Sequence, residues 1–192
     1  MSELEQQLQY TNAARFSRKK AAMWVLKHPE TIEELLHFCF KNDKELSHKA
    51  NWTLEFVCME KLELLFPHLD YFFSHLGSVK EDSSVRPLSH ICELLCHQYY
   101  KKGDKTLQQL FSETYKEILV EVCFDWLITN QKVACEVRAM SCLYELGTEK
   151  DWIHSELKTI IEQNIHTRSA GYQSRGKKIL DKIAKGSFPK SF

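Results

Sequence analysis

The stretch Val85-Arg86-Pro87-Leu88-Ser89-His90-Ile91-Cys92-Glu93-Leu94 returns, altered at half its positions, as Val137-Arg138-Ala139-Met140-Ser141-Cys142-Leu143-Tyr144-Glu145-Leu146. Val, Arg, Ser, Glu and Leu match outright, and Pro/Ala, Leu/Met and Ile/Leu are near matches. A self-match of this kind weighs more than composition, because recurring units are the mark of arrays in which each unit buries its apolar face on the next. Reduced to a base, a small residue or Pro, and an aliphatic four positions further on, the pattern recurs three more times. It reads Lys20-Ala21…Val25, Lys49-Ala50…Leu54 and Arg175-Gly176…Leu180. The five bases lie 29, 37, 52 and 37 residues apart.

Helical geometry accounts for the pattern. With the base as position zero, positions −3, +1, +5 and +8 fall on one stripe at about 100° per residue. In the second copy these are Leu46, Ala50, Leu54 and Val57; in the fourth, Cys135, Ala139, Leu143 and Leu146; in the fifth, Tyr172, Gly176, Leu180 and Ile183. The small residue sits mid-stripe, where a neighbouring helix crosses closely. Pro87 is expected within the first turn of its helix, where a missing N–H costs little. A second helix type alternates with the first, with apolar residues at i, i+3, i+4 and i+7. Its members are Ile32, Leu35, Leu36, Cys39; Leu69, Phe72, Phe73, Leu76; Tyr115, Ile118, Leu119, Val122; and Leu157, Ile160, Ile161. Pro29 and Pro67 stand where helices of this type would start. Thr114 with Glu117 has capping-box spacing, and Asp151 is an expected N-cap. The reading is all-α: a right-handed α-α superhelix of about nine helices, in four antiparallel pairs plus a closing helix. Breaks are expected near residues 41–43, 77–84, 103–105, 147–150 and 166–169.

The 192 residues suit one domain, taken as 1–192, with a tail from about residue 184. Fraying is expected at Met1–Gln9 and from Ile183 onward. Six Gly and four Pro are too few for a loop-rich β fold, and no strand is expected. No apolar run approaches the ~20 residues of a spanning helix, and the polar start MSELEQQLQY does not read as a signal peptide. Twenty-six basic and 26 acidic residues cancel, which argues against a chain built to coat nucleic acid or an anionic membrane. Seven cysteines, an odd count without a Cys-x-x-Cys pair, all lie in apolar periodic segments. They read as buried thiols of a reducing compartment, the cytoplasm.

Antiparallel helix pairs with a period near 40 residues are the signature of HEAT and armadillo repeats. Val137-Arg138-Ala139 with Leu143 resembles the Val-Arg-containing HEAT helix, and Asp43…Lys49-Ala50-Asn51-Trp52-Thr53-Leu54-Glu55 resembles a divergent copy. The whole chain is also similar to a group of short all-helical bacterial proteins often labelled adenylosuccinate lyase. Trp52–Cys58, Glu60–Leu65 and Cys123–Leu127 carry that likeness. Adenylosuccinate lyases carry a mobile Ser-Ser-x-Met-Pro-x-Lys-x-Asn loop. Ser83-Ser84-Val85-Arg86-Pro87-Leu88-Ser89 shares its Ser-Ser and Pro but lacks the Met, Lys and Asn.

Candidate chemistry is sparse. Cys92 and Cys96 share a helix face beside His90 and His97, but closed zinc sites draw four ligands, usually from loops, so apolar packing is the preferred reading. No His-Glu-x-x-His and no nucleophile–base pair stands out, so no catalytic residue, metal or cofactor is expected. The basic repeat position is the strongest functional signal. Lys20, Lys49, Arg86, Arg138 and Arg175 share one flank, with Trp24, Trp52 and His90 close by. This set is the expected lining of a concave binding surface. Position +7 returns to the same flank, so Arg86 is expected to meet Glu93, and Arg138 to meet Glu145. Local basic clusters lie at Arg15–Lys20 and Arg168–Lys185, one near each end. The expected role is a non-enzymatic scaffold for a protein or peptide, with no membrane partner. A nucleic-acid-binding relative of the DNA alkylation repair type ranks second, because phosphate binding wants surplus bases. A lyase ranks third.

Overall fold

The computed structural model describes residues 1–129 and 131–186. Among them are eleven α-helices and no strand. These are α1 (Glu3–Gln9), α2 (Arg15–Lys27), α3 (Ile32–Phe40), α4 (Ser47–Glu60), α5 (Leu69–Leu76), α6 (Asp82–Cys96), α7 (Lys105–Leu110), α8 (Glu113–Ile128), α9 (Val133–Leu146), α10 (Asp151–Asn164) and α11 (Ala170–Ala184). The part of the expected tail at residues 187–192 lies outside the described residues.

All nine expected helices are present, as α2–α6 and α8–α11, and two more join them. The first correction is α1, where fraying was expected. Leu4 and Leu8, one turn apart, are buried to 1% and 0% exposure, and Ser2 caps the helix by accepting the Glu5 N–H at 3.0 Å. The second is α7, a short helix that follows the expected break at residues 103–105, capped by Asp104, whose Oδ1 accepts the Leu107 N–H at 3.0 Å. Before it, α6 runs into one wide π-type turn, His97–Lys101.

Several cap assignments also shift. Ser112, just before the Thr114–Glu117 pair, caps α8 by accepting from the Tyr115 N–H. Asp151 is the first residue of α10 rather than its cap, which is Lys150. Pro29 opens a 3₁₀ turn leading into α3, and Pro67 lies in the 3₁₀ segment Leu62–His68 just before α5. Pro87 is the sixth residue of α6, inside the helix rather than in its first turn.

The chain forms two compact units, residues 1–94 and 95–192. In the first, α4 is the hub, packed on α2 and α3 and touched by α1, while α3 also meets α5. The expected stripes form its core: Leu46, Ala50, Leu54 and Val57 of the α4 stripe, Ile32, Leu35, Leu36 and Cys39 on α3, and Leu69, Phe72, Phe73 and Leu76 on α5 are all buried. Ala50, at 0% exposure, is the small residue that lets helices approach. In the second unit α9 is the hub, packed on α8, α10 and α11. Its stripe of Cys135, Ala139, Leu143 and Leu146 is buried, and so are Leu157, Ile160 and Ile161 of α10. Two stripes turn. On α11 Tyr172, Gly176 and Ile179 are buried, while Leu180 and Ile183 are half-buried. On α8 Tyr115 and Ile118 are half-buried and Lys116 faces inward.

Candidate binding surface

The basic repeat positions are used in different ways, and Arg86 is the most constrained. Its Nη1 and Nη2 reach Glu55 Oε1 and Oε2 at 3.4 and 3.3 Å, a two-pronged pairing. His90, one turn along α6, donates Nδ1–H to Glu55 Oε1 at 2.9 Å. Glu55 is 3% exposed. This pairing runs from α6 to a carboxylate on α4, the preceding helix of the same type, and the intrahelical spacing to Glu93 does not foresee it. Helix-to-helix pairing of this kind fixes how α4 and α6 stack.

Trp52 performs a second structural task beside it. Pro87 has no N–H, so within α6 the carbonyl four residues back, that of Ser83, has no helical donor. The Trp52 indole Nε1–H donates to that carbonyl at 3.0 Å. A proline inside a helix is tolerated because a tryptophan from the neighbouring helix completes the hydrogen bonding.

Two arginines of the first basic cluster complete the surface. The Arg18 guanidinium lies 5.8 Å from the Trp52 ring centroid and 5.4 Å from that of Phe56, and Arg15 lies 5.7 Å from Phe56. Burial, and then the like charge of Arg86, holds the Arg18 pKa below its ordinary value; Glu55 opposes this and Arg15 adds to it. Arg18 Nε is buried with no hydrogen-bond acceptor. The structure therefore joins Trp52, Arg86 and His90 with Glu55, Arg15, Arg18 and Phe56. A partial signal was present, since Glu55 lies one turn beyond Trp52 on α4 and Arg15 and Arg18 one turn apart on α2.

The remaining candidates are placed elsewhere. Lys49 donates Nζ–H to the Gln9 carbonyl at 2.9 Å, holding the C-terminal end of α1. Lys20 is exposed, and Trp24 stacks on His28 with ring centroids 4.4 Å apart. In the second unit Arg175 donates to the Ser141 hydroxyl, Arg138 is half-buried, and Glu145 pairs with Lys101 at 3.0 Å.

A buried charge in the second unit went unread in the sequence. Lys116, 6% exposed, donates to Glu149 at 2.8 and 3.0 Å, to Glu113 at 2.9 Å and to the Tyr99 hydroxyl at 3.0 Å. These partners account for the inward turn of the α8 face, and periodicity alone treats Lys116 as solvated. No cluster of metal-ligating side chains occurs among the described residues. Cys92 and Cys96 are buried in α6 at 0% and 1% exposure. No described helix is long and apolar enough to cross a membrane.

Against known proteins, the HEAT repeat domain family matches residues 3–183. No curated protein matches the chain. The crystal structure of an engineered protein is similar over 100% of both chains, at 12% identity and a TM-score of 0.45.

Proposed function

This chain belongs to the HEAT repeat domain family, and we propose that it is a non-enzymatic scaffold that binds a protein or peptide partner. The observation that carries this reading is the surface of the first unit where Arg15 and Arg18 lie over Trp52 and Phe56. Arginine and aromatic side chains are the residues that dominate protein-binding hot spots, since they combine large area with directional polar contact. Helical repeats use extended surfaces of this kind for partners. Lys20, Trp24, Trp52, Arg86 and His90 belong to this reading in the first unit, and Arg138 in the second. Lys49 and Arg175 belong to it too and, like Trp52, Arg86 and His90, each also holds an intramolecular bond.

The test is affinity capture from the source cell with the wild-type chain and with Arg18→Glu, followed by quantitative mass spectrometry. At least one protein is expected to be retained by the wild type and lost from the variant. Identical protein profiles would remove this surface from the reading.

A second reading, nucleic-acid binding, draws on the same aromatic–guanidinium contacts, which also suit stacked bases. The formal net charge of zero weighs against it. Retention of single-stranded DNA that falls steeply between two salt concentrations, and that Arg18→Glu abolishes, would favour it.

A further inference from the structure

We propose that a cavity between the starts of α4 and α6 binds a small phosphorylated polyol, a sugar phosphate in chemical class. The site stands independently of the protein-binding reading above.

The cavity measures about 550 Å³ and lies within the first unit, a size that suits a small metabolite. Its lining is polar, and the protein uses only part of it. Ser84, in the first turn of α6, is 3% exposed and opens on the cavity. No described residue bonds its hydroxyl. Ser89, equally buried on the same helix, shows the ordinary alternative, returning its hydroxyl to the Arg86 carbonyl at 2.7 Å. Ser47, 7% exposed at the start of α4, lines the cavity too. Its Oγ accepts the Asp43 N–H at 2.9 Å and keeps its own proton to give. Buried hydroxyls with hydrogen bonds still to make point to a partner from outside the chain.

The two helix starts add directed donors. The backbone N–H groups of His48 and Ser83, both lining residues, have no acceptor among the described residues. Oxyanions settle at helix starts because such N–H groups and the helix dipole both favour them. The first turn of α4 carries no acidic side chain. Lys44 and Lys80, both exposed, line the cavity as well, and no described carboxylate pairs with either.

Two carboxylates on the lining define the rest of the ligand. Asp43 Oδ1 accepts the Glu45 and Leu46 N–H groups at 2.8 and 3.0 Å, so the backbone engages its charge. Glu81 is exposed and, with Asn42, offers acceptors to hydroxyl groups while opposing a second anionic group. A single phosphate at the helix starts and hydroxyls toward Glu81 and Asn42 make up a phosphorylated polyol.

Binding to the full chain is measured by titration calorimetry and by the melting temperature. The probes are ribose 5-phosphate, glucose 6-phosphate and glycerol 3-phosphate, with ribose, glucose and inorganic phosphate as controls. One-site binding of at least one ester is expected, with a raised melting temperature, no binding of the bare sugars, and weaker binding of phosphate. Ser84→Ala and Lys80→Gln should each weaken the ester about tenfold, whereas Lys178→Gln, on α11, should not. The unliganded Ser84→Ala chain should melt as the wild type does, because its hydroxyl has no partner in the fold. No binding of any ester up to about 10 mM overturns the site and leaves a cavity filled by water. Affinity unchanged in both cavity variants, or weakened equally by Lys178→Gln, overturns it too. Inorganic phosphate binding as tightly as the esters overturns the sugar-phosphate assignment.

Discussion

The Ser83 carbonyl shows how one side chain can rescue a forbidden residue. Pro87 inside α6 removes a helical donor, and the Trp52 indole, 31 residues before Ser83 in the chain, supplies one. Trp52→Phe keeps most of the ring but loses the N–H, and should lower stability by about 0.5–1.5 kcal/mol. In a Pro87→Ala background the restored backbone N–H at that position can bond the Ser83 carbonyl within the helix, so Trp52→Phe should cost less there. Urea melts of the two single variants and the double variant close the cycle. Strict additivity would show that the indole bond and the proline are not linked. At this scale the sequence was only partly readable. Repetition exposed Arg86, because the same position returns in every copy. Its partner Glu55 stayed hidden, since a contact between two helices leaves no spacing rule in either one. Lys116 was hidden for the same reason, because its ammonium is satisfied by Glu149 from another segment.

Helices were legible where burial follows one straight stripe, as on α3, α4, α5 and α9. The two unforeseen helices are short and owe their existence to single contacts. In α1 those contacts are Leu4 and Leu8, too few to register as periodicity but fully buried. Leu8→Ala should destabilise the first unit by about 2–5 kcal/mol, the usual cost of a cavity, as measured by denaturant melts. A cost near zero would mean that α1 is not docked in solution. In α7 the contact is the Asp104 cap. The Leu107 backbone N–H, followed by the Gln98 amide, holds the Asp104 carboxyl below its ordinary pKa. A depressed folded pKa contributes stability above the unfolded value of about 3.9, and that contribution is lost as pH falls through the lower folded value. Asp104→Asn keeps a capping oxygen without a titrating group. It should therefore lose less stability than the wild type on acidification from about pH 5 to about pH 2, read from thermal melts across that range. Parallel acid limbs for the two proteins would contradict the assignment.

Over the whole chain, the seven cysteines give a built-in map of opening. All are thiols and all are buried. Cys39, Cys58 and Cys92 fall in the first compact unit, and Cys96, Cys123, Cys135 and Cys142 in the second. Burial pushes the Cys39 and Cys58 thiols upward in pKa, so neither reacts readily while its unit is closed. Pulsed alkylation in mild denaturant, resolved by peptide mass spectrometry, should label each group of thiols as a set. Repeat proteins gain stability unit by unit, so the two sets are expected to label at different denaturant concentrations. Seven titratable thiols are expected in the unreduced, denatured chain, and fewer would reveal a disulfide.

The bond between Trp52 and Ser83 also sets a timetable. Bringing residues 31 apart together costs loop-closure entropy of about 3 kcal/mol, a term that purely local helix formation avoids. The first turns of α6 cannot complete their own hydrogen bonding, so they mature only once α4 is in place to receive them. On a chain that lengthens from its N-terminus, α4 is made first and its indole waits in water until residue 83 has emerged. The emission of Trp52 then becomes a clock for nascent folding. Its shift marks the moment at which the second of the repeating helices in this unit accepts the third.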